Sequence, residues 1–132
     1  MAPLFALPGR GRAQQAPLPL ADDLRQLGER SRATRLPIVL MFSTPGCPYC
    51  RDVRRNYLAP LLAAGTASAP APLIREIVIN GRDTLVDFDG RTTTHAQFAA
   101  RLGVTLVPVV MAVDSRGGVV GEEAAGRAGR AR

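Results

Sequence analysis

The chain contains no lysine, only two cysteines and a single histidine. Because all 17 basic residues are arginine, we attribute the basic character to a compositional bias rather than to a selected surface. The arginines are scattered, with no aromatic residues interleaved among them, so we expect no nucleic-acid binding. No apolar run approaches the roughly 18 residues that a membrane-spanning helix needs, so we also expect no membrane span.

Length and composition indicate one folded domain. A length of 132 residues is enough for one core and too short for two domains, and a hydrophobic fraction of 46% predicts that the middle of the chain folds. Residues 1–19 are rich in Pro, Ala and Arg without periodicity, and we interpret them as a disordered extension or the remnant of a signal peptide. Residues 20–121 form the predicted domain. Residues 122–132, dominated by Ala, Gly and Arg, form a predicted disordered tail.

Hydrophobic periodicity predicts helices and strands in alternation. The predicted elements, in chain order, are a helix over about 21–32, a strand over 36–43, a helix from the cysteines to about 64, a strand over 73–79, a helix over 94–102, a strand over 104–113 interrupted by Pro108, and a strand at 119–120. We expect Pro60 to bend or end the second helix and interpret residues 81–91 as an exposed connection. Strands that alternate with helices predict an α/β domain with a parallel core, to which the last hairpin adds an antiparallel edge.

Both cysteines lie in the tetrad Cys47-Pro48-Tyr49-Cys50, between the first predicted strand and the second predicted helix. Two cysteines three residues apart at the start of a helix can close a small disulfide and reopen it, so redox chemistry is our leading hypothesis. The alternative is a structural role. A zinc site normally needs four ligands and only His95 could join the pair, so we expect no metal. We expect His95 to be solvated or to cap its helix rather than to catalyse.

The cysteine pair at a strand-to-helix junction, the later helix, and Val107-Pro108 before a hairpin resemble the thioredoxin superfamily over about residues 21–121. The resemblance implies a thioredoxin-like fold, with a central mixed β-sheet flanked by helices. The segment around Phe88-Asp89-Gly90 is similar to bacterial periplasmic thioredoxin-like proteins of the SoxW type. The CPYC tetrad itself looks like that of a glutaredoxin.

Three features depart from the superfamily pattern. Met41 occupies the position where thioredoxins keep a buried acid, so proton transfer to Cys50 must use water or another group. Gly46 replaces the aromatic residue that precedes the first cysteine. The closing helix, which would cover one face of the sheet, is not visible after Gly121, so we expect it to be missing.

The position of the cysteines assigns them different roles. At a helix N-terminus the Cys47 thiolate would face unpaired backbone N–H groups, which lower the pKa of a thiol. We therefore expect Cys47 to attack a substrate disulfide and Cys50, one turn further along, to resolve the mixed disulfide. Arg51, Arg54 and Arg55 form a predicted stripe beside the cysteines, which we interpret as a solvated helix face.

Four further residues are expected to form the substrate surface. Pro48 suits the first helical turn because its missing N–H is not needed there, and Tyr49 is expected on the rim. The resemblance implies that Pro108 is cis and faces the cysteines, and that Val107 and Pro108 bind an extended substrate segment by strand addition.

The resemblance implies a monomeric periplasmic reductase that needs no cofactor, with a cytoplasmic location as the alternative. Its partners would be a protein disulfide substrate and a separate thiol electron donor. Two other interpretations stay open. One is a glutathione-dependent enzyme of glutaredoxin type, suggested by the CPYC tetrad. The other is a non-catalytic thioredoxin-fold binding module.

Overall fold

The structure, a computed structural model, describes residues 18–120. A four-stranded mixed sheet has helices on both faces, and a second, two-stranded sheet lies beside it. The α/β class and the mixed sheet expected from the sequence are confirmed. The predictions for residues 1–17 and 121–132, including the missing closing helix, fall outside the described residues. No helix within residues 18–120 is long and apolar enough to cross a membrane.

The order of elements follows the predicted alternation, with two additional short strands. In chain order the elements are α1 (Leu24–Thr34), β1 (Ile38–Ser43), α2 (Pro48–Val53), a π-helical turn (Arg54–Leu58), α3 (Ala59–Ala63), β2 (Leu73–Val78), β3 (Thr84–Val86), β4 (Thr92–Thr94), α4 (His95–Arg101), β5 (Val109–Val113) and β6 (Val119–Val120).

Strand β1 lies inside the main sheet, whose order is β2-β1-β5-β6. It pairs in parallel with β2 and antiparallel with β5, while β6 closes the sheet as an antiparallel edge. Side chains alternate between the two faces of a strand. Leu40 and Phe42 pack on the face that carries α1 and α4, and Met41 packs on the face that carries the cysteine helix. The apolar run before the cysteines is therefore buried on both faces.

The cysteine helix continues past Pro60 to Ala63, so Pro60 does not end it. A proline inside a helix lacks the N–H for its bond and crowds the preceding turn. Here the turn before it widens, and the backbone N–H of Ala59 donates to the carbonyl of Arg54 five residues earlier. The wider turn shifts the buried face by one residue, so Leu58 is buried and Tyr57 is exposed.

The segment 81–91, expected to be an exposed connection, carries β3 and a buried carboxylate instead. Strand β3 pairs antiparallel with β4, and Leu85 points into the main core. The Asp87 side chain accepts hydrogen bonds from the backbone N–H groups of Asp89 and Arg91, which closes the turn between the strands. Three-residue strands show no usable periodicity, which is why the sequence did not predict them.

Helix α4 begins and ends as the sequence predicted. The Thr94 side chain caps its start by accepting the N–H of Gln97. At its end Gly103 has φ +72°, a left-handed conformation that glycine adopts without strain. The N–H of Val104 donates to the carbonyl of Ala99 and that of Gly103 to the carbonyl of Ala100, the two bonds of a Schellman motif.

His95 is neither solvated nor a helix cap; it is 2% exposed and covers the free edge of β2. Its Nδ1 accepts the backbone N–H of Val78, and its Nε2 lies 3.0 Å from the carbonyl oxygen of Ala21. Nε2 therefore carries the proton and donates, so the ring is a neutral tautomer. Next to it, Pro19 and Ala21 form backbone bonds with Glu76. Pro19, which lies in the predicted N-terminal extension, thus contacts the main sheet.

Candidate active site

The cysteines lie at the start of α2, which a short turn connects to the end of β1. Strand β1 ends at Ser43, and Gly46 (φ +73°) reverses the chain before Cys47. Cys47 is the N-cap residue of α2, with Pro48 in the first turn. A proline is favoured there because its N–H would have no partner within the helix. The local sequence therefore favours a helix that begins at the cysteine pair.

Cys47 and Cys50 form a disulfide, with their Cα atoms 5.2 Å apart. The backbone N–H of Cys50 donates to the Sγ atom of Cys47 at 3.1 Å. Cys47 is partly exposed, whereas Cys50 is 1% exposed. The two cysteines are therefore unequal: Cys47 is partly exposed and its sulfur accepts a backbone hydrogen bond, and Cys50 lies inside the protein.

The loop before β5 reaches the apolar cluster to which the cysteines belong. Val107 packs against the same apolar cluster as Cys47, a cluster that contains Cys50 and Met41. The peptide bond between Val107 and Pro108 is cis. The structure thus brings this loop and the tetrad together, although they are far apart in the sequence.

Two large apolar side chains, one in the tetrad and one next to Val107 in the sequence, are exposed to solvent. Tyr49 is 73% exposed and Leu106 is 80% exposed. Tyr49 lies between the two cysteines in the sequence, and Leu106 immediately precedes Val107. Exposed apolar side chains that border a functional group are typical of surfaces that contact another molecule. The sequence analysis did not single out Leu106.

The three arginines after the tetrad do not form one solvated face. Arg51 and Arg55 are exposed, as expected, but Arg54 points inward. Its Nε and Nη2 atoms bond the two carboxylate oxygens of Glu76. The interpretation of Arg54 as a solvated residue is therefore wrong.

Glu76 is a buried acid that the sequence analysis did not identify as part of the site. It is 5% exposed and lies on β2, directly across from Met41 on β1. The Ser43 hydroxyl donates to its Oε2 atom. An acid inside a strand whose other residues, apart from Arg75, are apolar was the available signal, because a buried charge requires a partner.

The described residues offer no metal site: within residues 18–120, no three His, Cys, Asp or Glu side chains come together in a way that could hold an ion. The cysteine pair is the group of the site that offers a chemical reaction. A reversible disulfide with one accessible and one buried sulfur is suited to thiol–disulfide exchange.

Comparison with known proteins agrees with this geometry. The sequence profile of a family described as a thioredoxin-like domain matches residues 25–128. No curated protein matches the chain at a significant level. The matched region contains the cysteine pair, the Val107-Pro108 loop and all strands of the main sheet. A thioredoxin-like domain with a cysteine pair at this position fits a thiol–disulfide oxidoreductase, and the chain belongs to the thioredoxin-like domain family.

Proposed function

We propose that the protein is a thiol–disulfide oxidoreductase that reduces disulfides in other proteins. The observation that carries the proposal is the asymmetry of the pair, with Cys47 partly exposed and Cys50 buried beneath it. In the reduced protein the Cys47 thiolate attacks one sulfur of a substrate disulfide. A mixed disulfide forms, and the other substrate sulfur leaves as a thiolate that takes up a proton.

Cys50 then completes the cycle. Its thiol loses a proton and attacks the Cys47 sulfur, which releases the second substrate thiol and forms the Cys47–Cys50 disulfide. Two electrons have moved from the protein to the substrate. A separate dithiol donor must return them. The N–H of Cys50, which bonds the Cys47 sulfur, supports the first step because a hydrogen bond stabilises a thiolate.

The substrate surface in this proposal consists of Pro48, Tyr49, Val107 and Pro108. The tertiary amide of Pro108 has no N–H, and an extended substrate segment would pair with the backbone beside it. Tyr49 and Leu106 are exposed apolar side chains, which supports apolar contacts with such a segment. This arrangement suits a polypeptide substrate better than a small thiol.

The direction of electron flow, the compartment and the nearest relatives are also part of the proposal. The likeness to SoxW-type proteins favours a monomeric reductase in a bacterial periplasm that uses no cofactor. The glutaredoxin-like tetrad supports a second candidate, a glutathione-dependent enzyme, in which glutathione alone would return the electrons.

Redox titration tests the proposal. The purified protein is equilibrated in graded glutathione buffers, free thiols are alkylated, and the modified cysteines are counted by mass. We expect one two-electron transition with a midpoint near about −270 mV, the value of a reductant. A midpoint near about −120 mV would show a disulfide donor instead. No reversible transition would leave the non-catalytic binding module, and efficient turnover with glutathione as sole reductant would favour the glutaredoxin type.

A further inference from the structure

A buried ion pair lies under the helix that carries the cysteines, and the proposed chemistry does not use it. Glu76 is 5% exposed and faces the same side of the sheet as Met41, its neighbour on β1. Met41 and Cys50 belong to one apolar cluster on that side. The carboxylate therefore lies on the side of the sheet that carries Cys50, next to the apolar cluster that contains this cysteine.

The partner of this carboxylate is Arg54, which lies one helical turn beyond Cys50. The backbone N–H of Arg54 donates to the carbonyl of Cys50, so the two side chains leave the same helix face, with Cβ atoms about 5–6 Å apart. Arg54 bonds Glu76 through two nitrogens, and the Ser43 hydroxyl holds the second oxygen. Within residues 18–120, every buried side-chain nitrogen or oxygen has a bonding partner, so the group is fully satisfied.

Reduction of the disulfide changes the charge beside this pair. The disulfide takes up two electrons and one proton and becomes one thiol and one thiolate, so the site gains one negative charge. A guanidinium without a counterion would attract that charge and favour the reduced form. A carboxylate without a counterion would repel it. The strength of either effect rises as water is excluded.

We infer that the Glu76 carboxylate sets the reduction potential of the Cys47–Cys50 pair by neutralising Arg54 beside it. Glu76 is in this sense a positioning residue: it touches neither sulfur nor substrate, and it acts through the guanidinium that it holds. The inference rests on the proposed function, because only a reversible disulfide has a potential to set.

Two single substitutions, which remove charges of opposite sign, test the inference. Glu76→Gln keeps the size of the side chain and leaves Arg54 uncompensated. We expect the equilibrium constant for reduction by glutathione to rise about threefold to tenfold, where tenfold is about 30 mV for a two-electron couple. Arg54→Gln leaves the carboxylate uncompensated, and we expect the constant to fall. In the double variant both charges are gone, and we expect a value within about twofold of that of the wild type.

Asp52→Asn is the matched control. It leaves Arg55 without its acidic neighbour on the same helix, but both side chains of that pair are 56% exposed. Water screens an exposed charge, so we expect less than about a twofold change. The control separates the effect of a charge at Arg54 from a general effect of charge on the helix.

A purely structural role for Glu76 would show a different pattern. Both single variants would then lose stability in urea while their redox equilibria stayed at the wild-type value, or moved in the same direction, and either result overturns the inference. If Glu76→Gln does not fold, Arg54→Gln decides alone, and an unchanged or higher constant refutes the inference. Failure of the proposed function is distinct, because the wild type itself would then show no two-electron transition.

Discussion

His95 joins segments that are far apart in the sequence, and its replacement by alanine tests how the free edge of the sheet is stabilised. The ring lies on the first residue of α4 and contacts β2 through Val78 and the N-terminal segment through Ala21. Strand β2 is an outer strand of its sheet. An uncovered outer strand presents unpaired backbone groups. Residues 19–21 pair with this edge at Glu76, and the imidazole covers the N–H of Val78 further along the same edge.

The expected loss follows from the two bonds. Alanine leaves the Ala21 carbonyl, which is buried, and the Val78 N–H, which is partly buried, without partners. An unsatisfied buried polar group costs about 1–3 kcal/mol, and water can reach the partly buried one. We therefore expect His95→Ala to lower the free energy of unfolding by about 2–4 kcal/mol, a large share of the roughly 5–15 kcal/mol of a typical domain.

Urea unfolding of the oxidised protein, followed by circular dichroism, measures this loss through the midpoint and slope of the transition. Ala100→Ser is the control, because Ala100 lies on the same helix, is exposed and has no polar side chain whose bonds could be lost. We expect it to cost less than about 1 kcal/mol. If His95→Ala cost as little as the control, the ring would behave as a solvated side chain, and the reasoning would be wrong.

Three other predictions address the chemistry, the pH dependence and a helix end. When the reduced Cys50→Ala variant reacts with a disulfide substrate, we expect the mixed disulfide to accumulate as the main product, which mass spectrometry detects. Cys47→Ala should form no adduct. An adduct through Cys50 would reverse the roles assigned to the two cysteines. Burial alone would raise the pKa of Asp87, but the N–H groups of Arg91 and Asp89 and the Arg101 guanidinium outweigh it and lower that pKa. The stability that Asp87 contributes is therefore complete above the unfolded-state pKa of about 3.9 and is lost as pH falls further. In Asp87→Asn, the free energy of unfolding should fall less steeply with pH below about pH 4. The same pH dependence as in the wild type would contradict this. Gly103→Ala should cost about 1 kcal/mol in urea unfolding, because φ +72° strains alanine while no atom lies within 4 Å of the added Cβ; a neutral effect would show that the turn can relax.

The sequence predicted the main elements because their signals are local. An apolar run before the cysteines predicted β1, and β-branched residues predicted β2. Thr94 and Gly103 marked the ends of α4 through cap chemistry that acts within one turn. The tetrad also identified the reactive sulfur atoms, since two cysteines three residues apart at a helix start restrict the chemistry that they can perform.

The predictions failed where the deciding partner is distant in the sequence. Strands β3 and β4 are too short for periodicity, and they exist because they pair with each other and cover the core. Tyr57 is exposed and Leu58 is buried because the π-helical turn shifts the helix face before Pro60. A sequence pattern that assumes regular helical spacing places such residues on the wrong side.

The α/β class and the position of the cysteine pair at the start of a helix follow from the sequence, because hydrophobic alternation, caps and tight spacing act between neighbouring residues. Only the tertiary structure decided the surroundings of that pair. It turned Arg54 inward to Glu76, buried His95 against the edge of β2, and packed Val107 against the apolar cluster that contains Cys50. Each of these contacts joins residues from different elements, and the burial of charged or polar groups is favourable only once the folded chain supplies their partners.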